Sequence, residues 1–150
     1  MPDPVPTADG WRAVDRYLSD TLVGHDPLLE HAVDDQHDAG LPDIEVAPVS
    51  GKFLHLLARI SGARRVLEVG TLGGYSTIWL ARAIPEGGRV VTIEAEPAHA
   101  AVARANIDRA GVGEKVEILV GRAADVLPTV EGEFDLVFID ADKESNTIYL

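Results

Sequence analysis

The 150-residue sequence contains no cysteine. That excludes a disulfide, a thiolate nucleophile and any thiolate-ligated metal. Positive charge is scarce: 13 Lys and Arg stand against 25 Asp and Glu, a formal net charge of -12, and no Lys/Arg cluster offsets it locally. Such a surface repels a phosphate backbone, so nucleic acid is not expected as partner or substrate. No charged segment followed by an apolar one opens the chain, and no apolar run approaches the roughly 18 residues of a membrane span. The expectation is a soluble, cytoplasmic protein with no membrane partner. Several catalytic signatures are missing as well. There is no H-E-x-x-H pair, no G-x-S-x-G elbow and no G-x-x-x-x-G-K-[ST] loop, which argues against ordinary hydrolase and P-loop chemistry. The histidines, His25, His31, His37, His55 and His99, lie on or beside predicted helices and read as surface or packing residues.

What is present suits one domain with a real core: 46% of residues are hydrophobic, with 14 Gly and 9 Pro. A chain this long buries roughly 70% of its unfolded surface. After a Pro/Gly-rich start, Trp11, Val14, Leu18 and Leu22 recur at helical spacing, and Gly24 ends that run. Asp26-Pro27 places an N-cap and a first-turn proline before a second helix that reaches Gly40. Asp34, Asp35 and Asp38 crowd its negative dipole end, which favours fraying. Ser50 is the expected cap of a third helix, stopped by Gly62. Strands and helices then alternate. Strands are expected at Val66–Val69, Arg89–Glu94, Lys115–Val120 and Phe134–Asp140, with helices at Tyr75–Ala83, Pro97–Ala110 and Ala124–Thr129. Val/Ile/Leu-rich strands separated by helices indicate an α/β fold, a parallel sheet with helices on both faces. Residues 1–62 are expected to pack as a tail and helices on a cofactor-binding unit, residues 63–150, in one continuous domain. The fourth strand is followed by few residues, so the chain reads as truncated after that strand, with an apolar edge exposed.

Ligands of parallel α/β sheets bind beyond the carboxyl ends of the strands. Those ends carry Glu68-Val69-Gly70, Glu94, Gly121-Arg122-Ala123 and Asp140-Ala141-Asp142-Lys143. The glycines Gly70, Gly73 and Gly74 allow a tight turn and close approach of a ligand. Their G-x-x-G-G spacing differs from the G-x-G-x-x-G of dinucleotide sites, which weakens an NAD(P)-dependent oxidoreductase as the alternative. Glu94 closes its strand where an acid can accept from both ribose hydroxyls. Glu68 can meet an ammonium or backbone N–H groups, or serve as a satisfied structural acid. Ser76 can cap a helix or serve a ligand carboxylate. Asp140 and Asp142 offer hard oxygen ligands, and Lys143 is either an ion-pair partner or a base.

The runs VLEVGTLGGYSTIWLA, VVTIEAEPAHAAVARANIDRAGV, VEILVGRAADVLP and FDLVFIDADKESN resemble the successive cofactor motifs of class I S-adenosylmethionine-dependent O-methyltransferases. They are most similar to the cation-dependent catechol and caffeoyl-coenzyme A group. VSGKFLHLLARI resembles that group's pre-motif helix. The resemblance implies a Rossmann-like three-layer sandwich with N-terminal helices. It implies S-adenosylmethionine and a divalent cation, Mg²⁺, as cofactors, a phenolic or catechol-like small molecule as acceptor, and a homodimer. It places Glu68, Gly70 and Ser76 on the methionine part, Val46 and Gly51 beside the sulfonium, Glu94 on the ribose, and Gly121 and Ala123 beside adenine. Asp140 matches the first metal carboxylate, Asp142 a further acid near the cofactor, and Lys143 the lysine that helps deprotonate the acceptor. The remaining metal ligands, an Asp-Asn pair, and the acceptor loop would lie beyond residue 150, so a catalytically inactive cofactor-binding module and a metal-independent methyltransferase stay open.

Overall fold

In the computed structural model, which describes residues 8–141, four parallel strands form one sheet in the order β3-β2-β1-β4. These are β1 Arg65–Val69, β2 Arg89–Glu94, β3 Val116–Val120 and β4 Leu136–Ile139. The first strand of the chain therefore lies inside the sheet, with β2 on one side and β4 on the other. Helices α1 (Ala8–Leu18), α2 (Pro27–Asp38) and α3 (Pro48–Ile60) precede the sheet; α4 (Tyr75–Ala83), α5 (Pro97–Arg109) and α6 (Ala123–Val126) connect its strands. β2 and α4 occupy the spans expected from the sequence. β4 is shorter at both ends, and Lys115 belongs to a turn of 3-10 helix ahead of β3.

Strand alternation divides the core. Val66, Val90 and Val116 point to the layer holding Ile78, Leu80, Ala103 and Ile107 of α4 and α5. Leu67, Val69, Val91 and Ile93 point the other way, toward Ala123, Val126, Leu127 and Phe134. Both faces are thus covered, which is why these strands read as nearly continuous apolar runs.

The start of α2 follows from its sequence. Asp26 is the N-cap, accepting from Leu28 N–H and Leu29 N–H, and Pro27 occupies the first turn. Its later half does not fray. Asp35 pairs with Arg109 of α5, and Gln36 is fully buried. Tertiary contacts override the unfavourable dipole there. The expected Ser50 cap is a further correction: α3 begins at Pro48 after Ala47, and Ser50 lies inside it. A proline in the first helical turn needs no N–H partner. No helix among the described residues is long and apolar enough to cross a membrane.

Candidate functional site

The strand tips and the loop after α2 enclose a cavity of about 810 Å³. The turn after β1 forms its floor. Gly70 has φ 101° and Gly74 φ 87°, left-handed values that glycine adopts without penalty, while Leu72 holds φ 49° with a side chain present. A Cβ on Gly70 would stand 2.4 Å from the Asp140 carbonyl oxygen, so only glycine lets the β1 and β4 tips close together. Asn106 of α5 donates to Gly73 O at 2.9 Å and to Ala32 O at 3.2 Å, tying the turn to α5 and α2.

Glu94 at the β2 tip latches the same turn. Its Oε2 accepts from Thr71 N–H at 3.2 Å and Leu72 N–H at 2.8 Å, and its Oε1 accepts from Glu96 N–H at 3.0 Å. His99 Nδ1 lies 3.6 Å from Oε1. A carboxylate offers about four lone-pair positions. With three facing backbone donors, room remains for one strong hydroxyl contact without displacing any of them.

Of the residues singled out in the sequence, Val46, Gly70, Ser76, Glu94, Gly121, Ala123 and Asp140 all line this cavity. Two others stand elsewhere. Glu68 is fully buried beneath the floor, on the α4 side of β1, and is not part of the wall. Its Oε1 accepts from Ser76 Oγ at 2.7 Å, and its Oε2 from Thr92 Oγ1 at 2.7 Å and Thr77 Oγ1 at 2.5 Å. Burial drives its carboxyl up to about 7; the Thr77, Ser76 and Thr92 hydroxyls pull the other way, and the negative charge of Asp140 adds to the rise. Gly51 is the other. It lies inside α3, where a Cβ would come within 2.4 Å of the Trp79 ring, so it serves the packing of α3 on α4 and is not in the cavity wall. Asp142 and Lys143 lie outside the described residues.

The structure adds Gln36 from α2, Glu45 from the following loop and Tyr75 from α4, which sequence reasoning passed over, and His99 from α5, which it read as a surface or packing residue. Gln36 donates through Nε2 to Pro42 O at 3.0 Å and to Glu45 Oε2 at 2.6 Å, and its buried Oε1 has no protein partner. A signal for His99 existed in its place on the first turn of α5, close behind Glu94. Gln36 had none, being one polar residue among many on α2. At the rim, ligand atoms of His37, Asp43 and Glu45 lie within 4.8 Å of one another, the one such three-residue cluster found among the described residues. A mixed nitrogen and oxygen set suits borderline transition ions, whereas Mg²⁺ takes an all-oxygen shell. Asp140 is not part of that cluster, and it supplies a single carboxylate at its own place.

A parallel sheet of this order, with a glycine turn after β1 and an acid at the β2 tip, defines a Rossmann-like α/β fold of the kind that binds nucleoside-bearing cofactors. Residues 19–150 match the model of the O-methyltransferase family, and the chain belongs to that family. It is 59% identical to a catechol O-methyltransferase of Mycobacterium tuberculosis, over 91% of this chain and 63% of that protein. Identity to a catechol O-methyltransferase of Niastella koreensis is 50%, over 93% of this chain and 65% of that protein. The crystal structure of an O-methyltransferase from Bacillus cereus in complex with SAH superposes with a TM-score of 0.93 at 50% identity, covering 95% of this chain and 67% of that one. The chain therefore spans just under two thirds of the length of the two curated relatives, 63% and 65%.

Proposed function

We propose that this chain forms the cofactor-binding part of an S-adenosylmethionine-dependent O-methyltransferase that acts on a phenolic or catechol-type hydroxyl. One observation carries the reading: a single cavity joins the Gly70–Gly74 turn, the Glu94 carboxylate and the Asp140 carboxylate, as a ligand with ribose, amino-acid and cationic parts requires. Likeness to two catechol O-methyltransferases and to an SAH-bound structure supports the cofactor and the acceptor class.

In this reading Glu94 accepts a ribose hydroxyl, and its hold on Thr71 N–H and Leu72 N–H keeps the turn shaped for the ligand. Gly121 and Ala123 leave space for the adenine, and Val46 closes the cavity over the sulfonium end. Methyl transfer then needs the acceptor oxygen held in line with the methyl–sulfur bond. The oxygen forms a bond to the methyl carbon, the carbon–sulfur bond breaks, and its electron pair leaves the sulfur as a neutral thioether. Lys143 is the group assigned to take the hydroxyl proton. A divalent cation, Mg²⁺ in our reading, lowers the pKa of a bound hydroxyl when present; Asp140 is the residue of this chain that would hold it.

We also assign the partner of the exposed N-terminal helices to a second copy of the chain. Tyr17 is 67% exposed, Phe53 59% and Ile60 82%, all apolar side chains on α1 and α3. Calorimetric titration with S-adenosylhomocysteine, followed by transfer of labelled methyl from S-adenosylmethionine to catechol with and without a chelator, tests the function. Light scattering tests the dimer. Absence of S-adenosylhomocysteine binding refutes the cofactor assignment; transfer that survives chelation refutes the role of the cation.

A further inference from the structure

Residues 41–47 run without regular structure from α2 to α3 and form one wall of the cavity through Pro42, Ile44, Glu45 and Val46. Two consecutive residues near the end of α2 meet this strap. Gln36, fully buried, donates through Nε2 to Pro42 O at 3.0 Å and to Glu45 Oε2 at 2.6 Å, although its own Oε1 has no protein partner. Burying an amide with one end unsatisfied costs free energy; what the burial secures is the position of Glu45. His37 Nε2 stands 3.1 Å from Asp43 Oδ1.

One ligand atom from each of His37, Asp43 and Glu45 lies within 4.8 Å of the others. Two ligands at about 2.0–2.1 Å from a tetrahedral ion stand roughly 3.3 Å apart. The His37–Asp43 separation already suits such an ion, and Glu45 is near enough to complete the set. The charges ask for a cation. With a neutral imidazole the three side chains carry two negative charges, and among the described residues no Lys or Arg pairs with Asp43 or Glu45. His37 also sits in the last turn of α2, at the negative end of its dipole.

We propose that His37, Asp43 and Glu45 form a site for one borderline divalent transition ion, of the Zn²⁺ type, that clasps the strap to α2. An imidazole nitrogen with two carboxylates suits such an ion, and three protein ligands leave a fourth position for water. Mg²⁺, which takes an all-oxygen shell, is not the ion of this site. Gln36 is the outer partner that orients the Glu45 carboxylate. Lifting the strap carries Asp43 and Glu45 away from His37 and so releases the ion. An ion held only by the closed form therefore stabilises that form by mass action. The proposal goes beyond the methyltransferase reading and does not depend on which ligand fills the cavity.

The test begins with calorimetric titration of Zn²⁺ into the unsubstituted chain, His37→Ala and Asp43→Asn, in excess Mg²⁺, which competes for oxygen-only positions such as Asp140. Both substituted side chains are exposed, so neither change disturbs the core. The unsubstituted chain should bind one Zn²⁺, and each variant should bind it at least roughly tenfold more weakly. No saturable binding by the unsubstituted chain, or equal binding by His37→Ala, overturns the proposal. The clasp is read by cleavage after Glu45 with a glutamate-specific protease, followed by mass, since the strap must lift to be cut. At a Zn²⁺ concentration ten times its dissociation constant, that cleavage should slow roughly tenfold in the unsubstituted chain and stay unchanged in His37→Ala. Zn²⁺ binding that leaves the cleavage rate of the unsubstituted chain unaltered overturns the clasp, and so does equal slowing in both proteins. Failure of the chain to bind S-adenosylhomocysteine would overturn the cofactor reading and leave both of these measurements standing.

Discussion

Replacing Glu68 by Gln should make the protein more resistant to unfolding at alkaline pH, and the size of the gain follows from where the carboxylate sits. The folded protein holds this carboxyl at about 7, against 4.5 for an ordinary glutamate. An acid with a raised value binds its proton more tightly folded than unfolded. Between those two values the unfolded chain ionises first, so stability drains away as pH rises through the window and is fully reduced above about 7. At 1.36 kcal/mol per pH unit the whole effect is about 3 kcal/mol, of which about 2–3 kcal/mol falls between pH 5 and pH 8. Other carboxylates titrate near the lower end, so the informative quantity is a difference. Urea unfolding of the unsubstituted chain and of Glu68→Gln should be compared at both pH values. The variant should gain about 2–3 kcal/mol relative to the unsubstituted chain on going from pH 5 to pH 8. If the gap between the two proteins is the same at both pH values, Glu68 is not the buried, high-pKa acid described here. A confirmed gain would show that the ionised Glu68 carboxylate lowers stability above neutral pH.

Further predictions concern packing, capping, the ligand and the cation. Gly51→Ala places a methyl group against the Trp79 ring and should lower unfolding stability by about 1–3 kcal/mol in urea, with little change in ligand affinity per folded molecule. Asp26→Ala removes the α2 N-cap and the 2.6 Å ion pair with Arg82; the loss of the cap should cost about 1 kcal/mol by the same measurement. Burial by itself would raise the Asp26 carboxyl, but bonds from Arg82, Leu29 N–H and Leu28 N–H outweigh it and hold it below the ordinary 3.8. Its contribution is therefore present above that value and lost as pH falls below it, so the penalty of Asp26→Ala should shrink under acid conditions. Glu94→Ala should weaken S-adenosylhomocysteine at least roughly tenfold and speed hydrogen exchange at the Thr71 and Leu72 amides, which lose their acceptor. For the cation, Asp140→Asn should abolish Mg²⁺ stimulation of methyl transfer and His37→Ala should leave it intact; the reverse pattern would move the cation to the His37, Asp43 and Glu45 cluster.

The glycine turn, the acid at the β2 tip and the alternation of strands and helices are local facts, and the sequence alone determined them. Gly70 and Gly74 announce left-handed backbone, Asp26-Pro27 announces a helix start, and Val/Ile-rich runs announce strands covered on both faces. Hence the element order, the parallel sheet and the strand-tip part of the cavity lining were legible before any coordinates. Tertiary structure decided the rest, because it depends on which faces meet. Glu68 belongs to the α4 side of β1, where Ser76, Thr77 and Thr92 close around it, and no spacing along the chain distinguishes that burial from a place in the cavity wall. Gly51 looks like a ligand-contacting glycine until α3 is laid on Trp79. Gln36 reaches the cavity because α2 packs on α5, through Arg109 with Asp35 and through Asn106 with Ala32. Local backbone preferences write the elements; which side chains meet, and whether an acid is buried among hydroxyls or faces a cavity, is set by partners that only folding brings within reach.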